Sequence, residues 1–157
     1  MLMAKALVRF VVTAAVTIAL HPTSGPAPTR AAPPGPGNWV DIFGDDFNGA
    51  QLDRSQWVTC TGNVLGKGCA GGGGEIGIKL PDGVAQQNGA LQLIARKRDV
   101  TDAYGVVHNY TSGVISARNR FAFKYGYVEA RINVPKGRGF WTGVYLLPVD
   151  PRYPAPE

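Results

Sequence analysis

From Asn38 onward the chain alternates apolar and polar residues with a period of two, in short runs cut by Gly, Pro, Asn and Asp. A strand points successive side chains to opposite faces, so this pattern buries one face of a sheet and leaves the other polar. No long stretch carries the 3.6-residue period of an amphipathic helix. The expected strands are Leu91–Arg96, opened by the turn Gln87-Asn88-Gly89; Gly113–Ala117; Phe121–Phe123; Tyr127–Val134, set off by Tyr125-Gly126; and Phe140–Leu147, stopped by Pro148. Several short strands at this spacing predict an all-β, antiparallel β-sandwich. Gly71–Gly74 reads as a flexible loop. Neither a Lys-Ser/Thr pair nor a helix follows it, which excludes a phosphate loop.

The first 37 residues have another character. Lys5 and Arg9 precede the eleven-residue run Phe10–Leu20, and Thr29-Arg30-Ala31-Ala32 offers small residues for cleavage. These are the parts of a secretory signal, assigned to residues 1–31. The competing reading is an uncleaved anchor, but the run is short against the roughly 20 residues that span a bilayer. A Pro/Gly-rich linker follows at residues 32–37, within a low-complexity stretch that begins near Pro22. That stretch, Pro22–Gly37, holds six of the twelve prolines. The folded part is expected over residues 38–157. The expected location is therefore extracellular, with no stable membrane insertion once the leader is removed.

Export changes how charge and cysteine are read. The chain has 16 basic and 11 acidic residues, and cleavage after Ala31 would remove Lys5, Arg9 and Arg30. Thirteen against eleven remain, a weak basis for a nucleic-acid partner, which needs a clustered basic face. Arg96-Lys97-Arg98 is the single basic cluster. Cys60 and Cys69 are expected to form a local disulfide around an eight-residue, Gly-containing loop, since the compartment is oxidising. A metal there would need further ligands, and no His or third Cys is near.

Two strands carry residues suited to chemistry. In Tyr127–Val134, alternation sends Val128, Ala130, Ile132 and Val134 one way. Tyr127, Glu129, Arg131 and Asn133 go the other way. A ring, a carboxylate, a guanidinium and an amide are what a sugar asks for: rings stack on its C–H faces and charged planar groups bond vicinal hydroxyls. The same four residues also fit an ordinary solvated face with a Glu129–Arg131 ion pair. In Phe140–Leu147, Trp141, Gly143 and Tyr145 share a face, with Gly143 leaving room between the rings. They form either the floor of a cleft or part of the sandwich core.

The order of motifs resembles glycoside hydrolase family 16. Asp45-Asp46-Phe47-Asn48-Gly49, then Leu52-Asp53 and Trp57, is similar to the opening of that family. Gln87-Asn88-Gly89-Ala90-Leu91 with Leu93-Ile94-Ala95, and Ser112–Ser116, resemble its next elements. Phe123–Ile132 resembles its F-x-YG-x-x-E-x-R strand, and Gly139–Pro148 its G-x-WPAFW-x-LP strand. The resemblance covers Asp45 to Glu157 and implies a β-jelly roll, concanavalin A-like, whose concave sheet binds a polysaccharide. A β-1,3 or mixed-linkage β-glucan is the first candidate and an algal galactan another. It implies that Glu129 and Arg131 hold sugars on the non-reducing side of the cut and that Trp141 and Tyr145 line the cleft; Tyr127 joins the candidate sugar-binding set through its place on the same strand face. Thr142-Gly143 stands in place of the family's Pro-Ala, and Tyr145 in place of its second Trp.

The family's catalytic motif, E-[IL]-D-x-x-E or E-[IL]-D-x-E, follows this strand. The resemblance assigns Glu157 the nucleophile position; the Asp and the acid/base Glu are not among the 157 residues. A retaining glycosidase needs two carboxyl groups about 5–5.5 Å apart. The expectation is thus a secreted, endo-acting, retaining glycoside hydrolase, here an incomplete jelly roll lacking its acid/base and of doubtful activity alone. The alternative is a non-catalytic glucan-recognition protein of the same fold; a structural surface sandwich is a third reading. No cofactor is required, the resemblance allows a structural calcium, and the complete protein is expected to be a monomer. Asn109-Tyr110-Thr111 is a glycosylation sequon, relevant only in a host that glycosylates.

Overall fold

The computed structural model describes residues 5–13, 35, 36, 38–61 and 75–149. It is built from strands: β1 (Lys5–Thr13), β2 (Trp39–Asp45), β3 (Val58–Thr59), β4 (Gly77–Lys79), β5 (Val84–Gln87), β6 (Ala90–Leu93), β7 (Arg96–Thr101), β8 (Val107–Ser112), β9 (Ile115–Ser116) and β10 (Tyr127–Asn133). A single 3-10 turn, Pro81–Gly83, is the one helical element among the described residues. The all-β class is therefore observed. Cys69, the Gly71–Gly74 loop, the cleavage region at residues 29–32 and Glu157 lie outside the described residues.

The hairpin of β5 and β6 shows how local sequence sets register. Asn88 and Gly89 take φ of 54° and 67°, the two left-handed residues that a two-residue hairpin loop with the native twist requires. Val84 then pairs with Leu93 and Gln87 with Ala90, antiparallel. β7 and β8 form a second antiparallel hairpin, and β3 pairs antiparallel with β9. The antiparallel expectation holds for these pairs. β4 instead runs parallel to β8.

β1 organises the largest sheet, in the order β10-β1-β6-β5 with β2 also paired to β1. Its parallel register with β10 is unbroken from Leu7–Tyr127 to Thr13–Asn133. It also runs parallel to β2, with an irregularity after Leu7, and Val12 and Thr13 pair with Leu91 and Gln92 of β6. Val8, Phe10, Val11, Val12 and Thr13 are residue types that favour strands, so a segment read from sequence as a leader also suits a ladder.

The core is small and aromatic. Phe47, Trp57 and Leu91 are buried, with Phe43, Leu52, Val84, Leu93, Ile115 and Ala117 packed around them. Phe43 lies edge-on to Trp57 at 5.2 Å and stacks on Phe121 at 4.3 Å. Asp45 fixes this cluster. One carboxylate oxygen accepts the Phe47 N–H at 2.8 Å, and the other accepts the Trp57 indole N–H at 2.9 Å. Phe47 sits at φ 52°, a conformation costly for a bulky residue, and the Asp45 bond holds it there.

Asp53 delivers Trp57 to the core. Its carboxylate accepts from the Ser55 N–H, the Ser55 hydroxyl and the Gln56 amide, and its carbonyl accepts the Trp57 N–H at 2.9 Å. The Ser55 and Gln56 side-chain bonds lower its pKa to about 2. A depressed carboxylate contributes stability that is present above its ordinary pKa and lost as pH falls toward the folded value. The turn is expected to loosen between about pH 4 and pH 2. In Asp53→Asn the acid limb of an unfolding-versus-pH curve should be correspondingly shallower; an unchanged limb would show that the turn carries no such linkage.

Four expected strands differ from what is seen, Phe140–Leu147, which forms no strand, among them. Leu91–Arg96 splits into β6 and β7, which belong to different sheets, because the Ile94 N–H leaves the ladder to bond the Gly83 carbonyl at 2.8 Å. Phe121–Phe123 is not a strand: Arg120 and Phe121 both turn back to the Ala117 carbonyl, and Asn119 takes φ 60°. Gly113–Ala117 contracts to β9. At the crossing of the sheets Gly83 meets Ser112 so closely that a Cβ on Gly83 would lie 2.6 Å from the Ser112 carbonyl oxygen. Gly83→Ala is expected to cost about 1–3 kcal/mol by overpacking, measured by denaturant unfolding.

Candidate functional site: one face of the largest sheet

Strand register determines which face of β10 looks away from the core. Paired residues share a face. Through β1, Val128 is level with Phe43 and Ile132 with Leu91; Phe43 and Leu91 are core residues. Val128, Ala130 and Ile132 therefore face the core, and Tyr127, Glu129 and Arg131 face away. The structure brings these three together on one strand as alternation requires. Tyr127 and Glu129 are half-buried and Arg131 is exposed.

The same register adds residues that sequence reading missed. Leu7 is the partner of both Tyr127 and Asp41, and Arg9 of both Glu129 and Gly44. Asp41 and Gly44 thus lie level with Tyr127 and Glu129 on the outward face. Trp39, two residues before Asp41, joins them, and its ring meets the Tyr127 ring at 5.9 Å with an interplanar angle of 67°. The irregularity between Asp41 and Phe43 is what allows this. An extra residue in one strand switches the facing of the residues after it, so Trp39 looks outward while Phe43 enters the core. The one sequence signal was the alternation of Trp39 and Asp41, and the bulge at Ile42 hides its relation to Phe43.

The strand expected over Phe140–Leu147, which would carry Trp141 and Tyr145, is not formed. Residues 134–149 form no strand and no ladder with β10 among the described residues. Trp141 is 84% exposed and Tyr145 57%, so neither is a core residue and neither lies on the sheet floor. The gap expected at Gly143 is taken by Tyr145 itself: a Cβ on Gly143 would sit 2.5 Å from the Tyr145 hydroxyl.

The other singled-out residues have structural roles. The basic cluster is partly neutralised: Arg98 bonds the Asp82 carboxylate at 2.7 Å and Arg96 the Asp82 carbonyl at 3.1 Å. The Arg98 bond holds the Asp82 carboxyl below its usual range. Asp102 ties the β7–β8 turn through the Tyr104 and Val106 N–H groups and His108. In the sequon, Asn109 is exposed and bonds Asp99 at 3.0 Å, whereas Thr111 is buried. Cys60 is buried, and its N–H donates to the Val114 carbonyl at 3.3 Å. Among the described residues no three His, Cys, Asp or Glu side chains gather to hold a metal.

No protein-family model matches the chain. Glucan endo-1,3-beta-glucosidase A1 of Niallia circulans is 31% identical over 119 residues, which cover 71% of this chain and 17% of that protein. A beta-1,3-glucan-binding protein of Tenebrio molitor is 39% identical over 51 residues, 32% of this chain and 11% of that protein. The laminarinase catalytic domain of Thermotoga maritima is 34% identical with a TM-score of 0.46, over 52% of this chain and 33% of that one. The chain spans less than a fifth of the length of either curated relative. With a 31% match running through 71% of its length, the chain belongs to the β-glucanase-like glycoside hydrolases of family 16.

Proposed function

We propose that this chain supplies the glucan-binding floor and the nucleophile of a secreted, retaining endo-β-glucanase acting on β-1,3 or mixed-linkage β-glucan. The observation that carries this reading is the outward face of β10, where Tyr127, Glu129 and Arg131 stand together opposite the core. A ring, a carboxylate and a guanidinium in that order suit a pyranose and its vicinal hydroxyls. The 31% match to an endo-1,3-beta-glucosidase supports the substrate class.

In this mechanism the floor holds the sugars on the non-reducing side of the cut. The Glu157 carboxylate attacks the anomeric carbon, and the leaving oxygen takes a proton from a second carboxylic acid. Water then hydrolyses the glycosyl ester, so the anomeric configuration is retained. In the protein that carries this chain, Glu157→Gln is expected to abolish β-1,3-glucan hydrolysis while glucan binding persists. Hydrolysis at the wild-type rate would remove Glu157 from the mechanism. Secretion and the Cys60–Cys69 disulfide belong to the same proposal, with β1 kept in the secreted protein because it relates β2 to β10, and the mass of the protein recovered outside the cell reads all three.

The match to a beta-1,3-glucan-binding protein favours a second reading, binding without catalysis. Glucan retention with no hydrolysis by the carrying protein, and no effect of Glu157→Gln, would select it.

A further inference from the structure

We propose that Trp39 is a sugar-stacking residue, and that Trp39 and Tyr127 form a two-ring corner selecting a turning glucan chain over a flat one. This rests on the reading of the β10 face as a glucan floor. Three observations carry it. Trp39 is on the outward face, as its ring contact with Tyr127 and the register of Asp41 both show. It is half-buried, held by the sheet yet reachable. The two rings meet at 67° with centroids 5.9 Å apart.

The angle determines what the pair can bind. Aromatic rings stack on the C–H face of a pyranose when ring and sugar are parallel. Two rings inclined at 67° cannot both lie parallel to a flat chain. In a β-1,4-linked glucan successive sugars form a flat ribbon, and such a chain can use one ring at a time. In a β-1,3-linked glucan successive sugars are turned relative to one another, and such a chain can present a face to each ring. Gly44, level with Glu129, carries no side chain that would close the floor beside the corner.

Trp39 contributes as a specificity-determining residue. The protein has three tryptophans, and they provide internal controls: Trp57 is buried and Trp141 is exposed. Calorimetric titration of the full chain with a β-1,3-linked glucose hexasaccharide first establishes binding. N-bromosuccinimide oxidation, mapped by peptide mass, is then followed with and without saturating hexasaccharide. The β-1,3 hexasaccharide is expected to slow Trp39 oxidation about tenfold, as cover by one stacked sugar implies. A β-1,4 hexasaccharide at the same concentration, able to use one ring at a time, should slow it far less. Trp57 should stay unoxidised throughout, reporting an intact fold.

Trp39→Leu is expected to weaken β-1,3 hexasaccharide binding about tenfold, and Trp39→Phe, which keeps a stacking face, to retain most of it. Hexasaccharide binding with Trp39 oxidised at an unchanged rate, or a ring that resists oxidation in the free protein, overturns the inference alone. Equal losses in Trp39→Leu and Trp39→Phe overturn it too, since lost packing rather than stacking then explains them. Absence of any hexasaccharide binding overturns the floor reading and this inference with it.

Discussion

Phe47→Ala is expected to unfold most of the chain's cooperative structure. The side chain has no solvent exposure and packs on Trp57 and Leu91 at the centre of the core. Truncating a buried Phe costs about 3–5 kcal/mol, part lost transfer energy and part the cavity left behind. A domain's whole stability is about 5–15 kcal/mol. Among the described residues the core cluster is three residues with a half-buried surround, so little can collapse into the gap. The loss should appear as a red shift of Trp57 emission and as a lower denaturant midpoint. Phe47→Leu, which keeps an apolar side chain but not the ring contact with Trp57, should lie between. A Phe47→Ala protein with an unchanged midpoint would mean that the core is elsewhere.

Removing Arg131 or neutralising Glu129 is expected to weaken glucan binding by about 10- to 100-fold. Hydrogen bonds to charged groups contribute roughly 1.5–3 kcal/mol, and each 1.4 kcal/mol is about tenfold in affinity. Arg131 is exposed and sits next to last in β10's outward row, so Arg131→Ala should leave the unfolding midpoint almost unmoved. Glu129 is half-buried, and Glu129→Gln preserves its shape while removing its charge. If both variants bind as the wild type does, the face is an ordinary solvated one and the sugar-floor reading is wrong.

The resemblance motifs divide into fold and site. Asp45, Phe47 and Trp57 of the opening motif turn out to build the core, with the Asp45 carboxylate bridging the Phe47 amide and the Trp57 indole. Asp53 caps the turn that brings Trp57 in. The Asn88-Gly89 hairpin was legible because two residues with positive φ fully specify that loop. The Tyr127–Asn133 strand was legible because its inward face is apolar at every second residue.

The features hidden from sequence depend on distant contacts. The break after Leu93 arises from a bond between the Ile94 N–H and the carbonyl of Gly83, in the 3-10 turn ahead of the hairpin. β8, Val107–Ser112, is polar along most of its length and is held by ladders to β4 and β7 rather than by its own pattern. Phe140–Leu147 alternates well, yet alternation makes a strand only where an edge receives it, and residues 134–149 pair with none among the described residues. Trp39 is hidden in the sequence because the bulge at Ile42 breaks the period that would relate it to Phe43.

The most direct test of the central claim is calorimetric titration of the full chain with a β-1,3-linked glucose hexasaccharide, run in parallel on Glu129→Gln and Arg131→Ala. Saturable binding by the wild type, weakened at least about tenfold in each variant whose fold is intact, is the predicted result. No binding by a folded wild-type chain, or equal binding by all three proteins, would contradict it.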